Sequence, residues 1–256
     1  MVRSRKVIVS GSAGGIGSAI VARLRADGDT VVGIDCKDAD IVTDLATPMG
    51  RKLAISAATD WCSGSADAVI TCAGVAGGTD TAVIEVNYFG TVDLLEGLRC
   101  LLEQSPAPRA LAISSAAILN EVSEHAVDAC LAGDRAGAVA AVSGNPQLAY
   151  STSKFAVSQW VRRMAGRSEW AGQGILLNAL APGTILTPMT RPILETPEGR
   201  AMLRELTPIV VNDFAKPEDL APFAAFLAGP DNRYTVGQTL FCDGGTELLR
   251  REENRF

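Results

Sequence analysis

The sequence lacks most of the residues on which metal sites and hydrolytic triads depend. Its 256 residues include a single histidine, His125, and six cysteines without any C-x-x-C pair. Zinc needs clustered Cys and His ligands, so we expect no metal site. No G-x-S-x-G segment supplies a nucleophile for His125, which argues against a Ser-His-Asp hydrolase. Unclustered cysteines in a chain of this size are typical of reduced thiols in a cytoplasmic protein.

A basic excess and long apolar runs are absent as well. The formal net charge is −6 and the isoelectric point is near 4.9, without the basic stripe of a nucleic-acid-binding protein. The acidic balance also argues against a membrane-surface role. The longest apolar stretches have the length of strands rather than the roughly 20 residues of a membrane span. The N-terminal residues run directly into the strand-like Val7-Ile8-Val9, so no signal peptide is expected.

Short apolar runs alternate with longer amphipathic stretches along the whole chain. With 47% apolar and only 5% aromatic residues, the core is expected to be aliphatic. The runs are nearly continuous in apolar residues, as in strands that are covered on both faces. This pattern predicts one doubly wound, Rossmann-type α/β domain with a parallel sheet over residues 1–256. The predicted strands are 6–10, 30–35, 66–72, 109–115, 174–181 and 239–242, and the predicted helices are 16–27, 83–102, 150–171 and 217–228.

Two stretches interrupt this alternation. Residues 116–148 form a long insertion, in which we expect one helix before Gly133 and a second helix over 135–142. Residues 187–213 are rich in proline and charge. Both stretches follow the carboxyl ends of strands, where open α/β sheets bind their ligands. The apolar face of the first insertion helix is predicted to consist of Val122, Ala126, Val127, Cys130 and Leu131.

A glycine-rich turn, Ser10-Gly11-Ser12-Ala13-Gly14-Gly15-Ile16-Gly17, follows the first strand and opens into a helix. Such glycines allow a pyrophosphate to approach the backbone at a helix N-terminus. Asp35, at the end of the second strand, is placed to bind an adenosine ribose and to repel a 2′-phosphate. This predicts NAD(H) rather than NADP(H), although Lys37 would offset part of the repulsion and a solvated loop carboxylate is the alternative. Asp44 follows as a ligand for the adenine amino group or as a helix cap.

Tyr150 and Lys154 are four residues apart and therefore share one face of a helix. The cation favours the phenolate and would lower the phenol pKa from about 10 towards the neutral range that acid/base catalysis needs. The alternative is an ordinary exposed helix face. The pair Ser114-Ser115 ends the preceding strand, where a hydroxyl could bind a substrate oxygen beside the phenol or simply cap the chain.

Six segments, in order, resemble the motifs of the short-chain dehydrogenase/reductase family over essentially the whole chain. The departures are Ser10, where the family has threonine, and Thr71-Cys72, where it has two asparagines. The matching segments are Ser10-Gly11-x-x-x-Gly15-Ile16-Gly17, Thr71-Cys72-Ala73-Gly74, Val86-Asn87-Tyr88-Phe89-Gly90, Ile113-Ser114-Ser115, Tyr150-x-x-x-Lys154 and Pro182-Gly183-Thr184-Ile185-Leu186-Thr187.

This resemblance implies roles for individual residues. Tyr150 would be the general acid/base, Lys154 would lower its pKa and bind the nicotinamide ribose, Ser115 would orient the substrate oxygen, and Asn87 would hold a water of a proton relay. The cofactor implied is NAD. Its expected binding residues are Gly11, Ser12, Gly15, Ile16, Gly17, Asp35, Asp44, Leu45, Ala73, Gly74, Tyr150, Lys154, Pro182, Gly183, Thr184, Ile185 and Thr187.

Within the family, the insertion before Tyr150 resembles most the bacterial 3α-hydroxysteroid dehydrogenase/carbonyl reductase branch. The resemblance implies a homodimer or homotetramer, and because the insertion lies beside the helices used for dimerisation, we expect it to alter the usual tetramer. The expected substrate is a bulky, hydrophobic ketone or alcohol. A β-ketoacyl reductase, whose carrier phosphate could meet Arg191, Arg200 and Arg204, and a catalytically silent NAD-binding regulator are the alternatives. The apolar residues of 187–213, which would line a pocket or pack that segment, are Met189, Ile193, Leu194, Met202, Leu203 and Ile209.

Overall fold

A computed structural model describes residues 4–211 and 213–251. All strands are parallel and form one seven-stranded sheet in the order β3-β2-β1-β4-β5-β6-β7, which confirms the doubly wound topology. The six predicted strands are present, and the short β3, which pairs with the end of β2, is additional. The strands are β1 Lys6–Ser10, β2 Thr30–Asp35, β3 Ile41–Val42, β4 Ala68–Thr71, β5 Arg109–Ile113, β6 Leu176–Pro182 and β7 Thr239–Cys242.

Helices cover both faces of this sheet. Alternate side chains of β1 point to opposite faces, so Ile8 lies in one apolar cluster while Val7 and Val9 lie in the other. The helices are α1 Gly15–Ala26, α2 Pro48–Cys62, α3 Asp80–Ile84, α4 Gly90–Leu102, α5 Glu124–Ala132, α6 Arg135–Ala140, α7 Pro146–Met164, α8 Arg191–Leu194, α9 Pro197–Leu206, α10 Pro217–Leu227 and α11 Thr246–Arg250.

Helix α2 is not among the predicted elements. Its buried side consists of Gly50, Arg51, Ala54, Ala58 and Cys62, which are too small or too polar to give an apolar helical pattern. The local signal for this helix is its beginning, where the Thr47 hydroxyl accepts a hydrogen bond from the Gly50 amide and a proline occupies the first position.

Two predicted helices have different boundaries in the structure. Helix α7 begins at Pro146, where the Asn145 side chain accepts a hydrogen bond from the Leu148 amide, and it ends at Met164 rather than at residue 171. Tyr150 therefore lies one turn inside the helix instead of at its beginning. The long helix predicted over 83–102 is interrupted by a π-helical turn, Glu85–Phe89, which joins α3 to α4 and carries Asn87.

The insertion contains a 3₁₀ turn, Ala116–Leu119, followed by α5 and α6. Gly133, in a left-handed conformation with φ of 77°, ends α5 as predicted. Ala126, Val127 and Cys130 are buried, whereas Val122 precedes the helix because Ser123 is its N-cap, which corrects the predicted face. Of the 187–213 segment, Asn212 lies outside the described residues, as do residues 1–3 at the N-terminus.

Residues 4–211 and 213–251 contain neither a membrane-spanning helix nor a metal-binding cluster. None of the helices there is both long enough and apolar enough to span a bilayer. No grouping of His, Cys, Asp and Glu suited to a metal ion occurs in the same part of the chain. His125 is exposed on α5.

Candidate active site

A cleft of about 470 Å³ opens at the carboxyl ends of the strands, where the order of the sheet reverses between β1 and β4. Ligands of open α/β sheets bind at this kind of switch point, in cavities of roughly 300–1,000 Å³. The predicted site residues that line it are Gly11, Gly15, Ile16, Gly17, Asp35, Asp44, Leu45, Ala73, Gly74, Ser115, Tyr150, Lys154, Pro182, Gly183, Ile185 and Thr187.

The glycine-rich turn forms one end of the cleft because its backbone is packed too tightly for side chains. Gly11 has a φ of +70°, and a Cβ built on it would lie 2.6 Å from the Ala73 nitrogen. A Cβ on Gly17 would overlap the carbonyl oxygen of Gly11. Helix α1 begins here at Gly15, and its N-cap, Gly14, has no side chain to bind the first amides. These free N–H groups and the helix dipole fit a pyrophosphate.

Asp35 stands beside this turn at the end of β2. Its Oδ2 accepts a 3.0 Å hydrogen bond from the Ala13 amide, and its Oδ1 accepts a 2.7 Å bond from the Cys36 amide. The Cys36 thiol is a further hydrogen-bond partner of this carboxylate, which raises the pKa of the thiol. The acceptor capacity that remains on the two oxygens fits the vicinal hydroxyls of a ribose. Asp44 also lines the cleft, although its Oδ1 accepts a bond from the Ala46 amide in a local turn.

Three predicted site residues do not line the cleft. Ser12 faces a separate depression beside Gly33 and Asp40. The hydroxyl of Thr184 lies 2.6 Å from that of Thr207, at the end of α9. Asn87 is fully buried behind the cleft. The cleft residues absent from the predicted site include Ala13, Cys36, Cys72 and Val75, for which only their neighbourhood in the chain gave a signal, whereas Met189 was considered as a pocket residue and does line the cleft.

The structure separates the roles of the two adjacent serines after β5. Ser114 is buried, where its hydroxyl donates to the carbonyl oxygen of Lys154 at 3.0 Å and lies 2.9 Å from the hydroxyl of Ser158. It therefore anchors α7 to the sheet. Ser115 begins the 3₁₀ turn, and its Oγ accepts a 3.1 Å bond from the Ala117 amide, which leaves its proton for another acceptor.

Tyr150 and Lys154 both lie in the cleft, in an environment that opposes their charged forms. Burial raises the pKa of Tyr150 above its ordinary value, a hydrogen bond with Ser115 acts in the lowering direction, and Cys72 raises it further. Burial also lowers the pKa of Lys154 to about 8. These directions differ from the expectation that Lys154 lowers the pKa of the phenol, because desolvation by burial is the largest influence on both groups.

Asn87 is fixed by the backbone that follows β4. Its Oδ1 accepts a 2.8 Å hydrogen bond from the amide of Val75, and its Nδ2 donates to the Val75 carbonyl at 3.0 Å and to the Ser153 hydroxyl at 3.1 Å. The point where a Cβ of Gly74 would stand is 3.2 Å from Asn87 Oδ1 and equally 3.2 Å from Lys154 Nζ. The absence of a side chain on Gly74 therefore keeps a small space between these two polar groups.

The first residues of the 187–213 segment, Thr187 to Thr190, line the cleft beside the glycine-rich turn, where Thr187 lies close to Gly15. Met189 lines the cleft and is 46% exposed, whereas Leu194 is buried and packs the segment onto the core. Arg200 and Arg204 lie 2.8 and 3.6 Å from Asp213 and over the ring of Phe214. Two of the three arginines considered for phosphate binding are thus directed to an acidic partner.

Known proteins of similar sequence align with almost the whole chain. A protein-family profile described as Enoyl-(Acyl carrier protein) reductase matches residues 11–247. The 3-alpha-hydroxysteroid dehydrogenase/carbonyl reductase of Comamonas testosteroni is 35% identical over 256 aligned residues, which cover 96% of this chain and 97% of that protein. The galactitol 2-dehydrogenase (L-tagatose-forming) of Cereibacter sphaeroides is 30% identical, with 93% and 92% of the two chains covered.

Solved structures include similar molecules. The 3-alpha-hydroxysteroid dehydrogenase from Pseudomonas sp. B-0831, complexed with NADH, superposes with a TM-score of 0.89 at 37% identity and covers 98% of this chain and 100% of its own. The aldohexose dehydrogenase of Thermoplasma acidophilum, at 24% identity and a TM-score of 0.76, covers 99% of this chain and 97% of its own and shares the fold.

Proposed function

The chain belongs to the short-chain dehydrogenase/reductase family of nicotinamide-dependent oxidoreductases, and from this we propose that it interconverts a secondary alcohol and a ketone with NAD(H). The observation that carries the proposal is the meeting of Ser115, Tyr150 and Lys154 in a single cleft whose opposite end presents Asp35. The chemistry that a bound nicotinamide supplies there is transfer of a hydride to or from the substrate carbon.

We assign the proton transfer to Tyr150. Its raised pKa keeps the phenol protonated at neutral pH, so Oη can donate a proton to the oxygen of a ketone. The hydroxyl of Ser115, already in contact with the phenol, would hold the same oxygen. Lys154, with a pKa of about 8, is mostly a cation at neutral pH and would stabilise the phenolate that remains after proton transfer.

The preference for NAD(H) is argued from charge at the adenosine end. Backbone amides hold both carboxylate oxygens of Asp35 in place. A 2′-phosphate on the adenosine ribose would therefore be repelled by a negative charge that does not move away. The neighbouring Lys37 lines the same part of the cleft and offsets the repulsion only in part, because a solvated lysine is screened and mobile. The NADH bound by the similar Pseudomonas enzyme supports the same preference.

The substrate we propose is a bulky hydrophobic ketone or alcohol, such as a steroid. Support comes from Pro188 and Met189, the apolar cleft residues of the 187–213 segment that we propose acts as a lid, and from the similarity to the hydroxysteroid dehydrogenase of Comamonas testosteroni. The description of the matching family profile favours an acyl-carrier substrate instead. The pairing of Arg200 and Arg204 with Asp213 weighs against that alternative, since it leaves Arg191 as the arginine available for a carrier phosphate.

The deciding experiment is a panel of steroid, aliphatic and aryl ketones with NADH and with NADPH, followed by the loss of cofactor absorbance. We expect turnover of bulky ketones with NADH, and a loss of about 10²- to 10⁴-fold in kcat for Tyr150→Phe with unchanged NADH binding. Tyr234→Phe is the matched control, because Tyr234 is 96% exposed and does not line the cleft. Full turnover by Tyr150→Phe would disprove the assignment of the proton donor.

We also propose a cytoplasmic homo-oligomer, a dimer or a tetramer, whose assembly is altered by the insertion. Helix α5 packs on α7, and α6 packs on α3, so the insertion covers part of the surface of these helices. The six cysteines, all free, support a reducing compartment. Light scattering of the purified protein tests the assembly: a tetramer of the usual kind would contradict the altered arrangement.

A further inference from the structure

Four charged side chains meet beside the π-helical turn that carries Asn87. Arg51 of α2 lies 2.9 Å from Glu85 and 2.8 Å from Asp93, and Arg135 of α6 lies 2.8 Å from Glu85 and 3.0 Å from Asp93. Both guanidinium groups thus connect the same two carboxylates. Arg51 is 1% exposed, and the guanidinium of Arg135 also stacks 3.9 Å from the centre of the Phe89 ring.

The two carboxylates belong to opposite ends of the π turn. Glu85 is its first residue and accepts the wide-turn hydrogen bond from the amide of Gly90, whereas Asp93 lies in the first turn of α4. In a regular α-helix, residues eight apart are rotated by about 80° around the axis. A π turn accommodates one additional residue, so Glu85 and Asp93 are related by the rotation that residues seven apart have in a regular helix, which is about 20°. Glu85 and Asp93 therefore face the same side because the π turn is present, and a guanidinium that bridges them favours this turn over a regular helix.

Asn87 depends on the same turn for its position. It is fully buried, and its amide reaches the backbone of Val75 and the hydroxyl of Ser153 on α7. A return to regular helical geometry would rotate the residues that follow Glu85 by about 100°, which is the angle per residue. π turns inside α-helices are frequent at functional sites, and a strained backbone persists only where the surrounding structure holds it.

We propose that Arg135, a residue of the insertion, is a positioning residue of the active site: together with Arg51 it holds the π turn that sets Asn87 beside Lys154. The catalytic effect of Arg135 in this inference rests on the proposed function, whereas its effect on the π turn does not. It gives the insertion a role in the chemistry of its own subunit, separate from any effect on assembly. Arg51 also donates to the carbonyl oxygen of Leu45, so the same charge cluster reaches the adenosine end of the cleft.

Arg135 is the member of the cluster that can be removed without leaving a buried charge unpaired. Its side chain is 36% exposed, and Arg51 remains to neutralise Glu85 and Asp93. Replacing Arg51 would instead leave carboxylates without their buried partner, at a cost to the whole fold. We therefore expect Arg135→Met to loosen the π turn locally while the protein stays folded.

The experiment compares wild type, Arg135→Met, Arg135→Lys and the control Arg233→Met, an exposed arginine outside the cluster. Hydrogen exchange of residues 84–93, measured without cofactor or substrate, reports the π turn directly. We expect about tenfold faster exchange there in Arg135→Met. In the same variant we expect kcat to fall by about 10- to 100-fold with an unchanged KM for the ketone. Arg135→Lys, which retains the charge but not the two-pronged geometry, should recover part of both.

A double-mutant cycle separates a positioning role from general loosening. If Arg135 acts through Asn87, Arg135→Met should cost little more in an Asn87→Ala background, where there is no amide left to position. Unchanged exchange of 84–93 in Arg135→Met, or additive losses of kcat in the double variant, would overturn the proposal. A wild type without ketone turnover would disprove the proposed function instead, and the exchange measurement would still decide whether Arg135 holds the turn. Should Arg135→Met fail to fold, Asp93→Asn breaks the same bridge with a smaller change and is judged by the same two measurements.

Discussion

The ammonium group of Lys154 donates a 2.9 Å hydrogen bond to the carbonyl oxygen of Ile113. Ile113 is the last residue of β5, two positions before Ser115, and Lys154 is 3% exposed. The contact therefore joins the helix that carries Tyr150 to the strand that delivers Ser115. It also holds an amine in a place where burial lowers its pKa to about 8. The role that we propose for this amine therefore comes at a cost in stability.

The first prediction concerns that cost. Below pH 8 Lys154 is charged in both states, in an apolar site in the folded protein and in water in the unfolded chain, so its burial lowers the free energy of unfolding. This loss of stability disappears as pH rises from about 8 towards the ordinary lysine pKa near 10.5. Lys154→Met removes the penalty but also the bond to Ile113. We expect a net gain of about 1 kcal/mol at neutral pH, or about 2–4 °C in Tm, together with loss of activity.

Thermal unfolding of the cofactor-free protein at about pH 7 and about pH 10 measures this difference. The gain of Lys154→Met over wild type should shrink at the higher pH, because wild type then loses its own penalty. A variant that is less stable than wild type at neutral pH would show that the hydrogen bond to Ile113 outweighs the desolvation of the amine.

The second prediction is a pH dependence of opposite sign for the two reaction directions. Ketone reduction uses the protonated phenol of Tyr150, whose pKa burial raises, so its rate should stay level through neutral pH and fall only in alkali. Alcohol oxidation uses the phenolate and should rise with pH. Ser115→Ala removes the hydrogen bond that lowers the phenol pKa, which should shift both profiles to higher pH as well as reduce kcat. Profiles that Ser115→Ala leaves in place would contradict the contact between the two hydroxyls.

The third prediction concerns cofactor choice. Asp35→Asn keeps the shape of the side chain and one acceptor oxygen but removes the charge, so the ratio of kcat/KM for NADH to that for NADPH should fall by about 10- to 100-fold. Asp44→Asn is the control, because Asp44 lines the same cleft with one oxygen already bound to a turn amide. Equal ratios in wild type and Asp35→Asn would remove the electrostatic argument for NAD(H).

The fourth prediction distinguishes backbone strain from close packing in two glycines with positive φ. Gly11→Ala places a Cβ 2.6 Å from the backbone nitrogen of Ala73 and should both destabilise the fold by several kcal/mol and abolish NADH binding. Gly28 has a φ of +94° with open space around it, so Gly28→Ala should cost only the strain of about 1–2 kcal/mol and bind NADH normally. Chemical unfolding and NADH fluorescence titration measure the two effects. Equal costs for both variants would argue against the tight turn.

Local sequence signals predicted the parallel sheet and most helices because each depends on neighbours in the chain. Helix α2 escaped prediction since its buried face uses alanine, glycine and a salt-bridged arginine, and no apolar periodicity remains to be recognised. The π turn at Glu85–Phe89 could not be recognised from the local sequence either. The arginines that bind its Glu85, Arg51 and Arg135, come from two elements that are distant in the chain.

The amino-acid sequence alone determined the fold class and the chemical groups of the candidate site, because apolar spacing, glycine turns and the four-residue separation of Tyr150 and Lys154 are local properties. Only the tertiary structure decided that Ser114 anchors α7 through Lys154 and Ser158, that the hydroxyl of Thr184 contacts that of Thr207, and that burial is the largest influence on the pKa of both Tyr150 and Lys154. Those outcomes are set by distances between residues far apart in the chain and by how completely the surrounding elements exclude water from them.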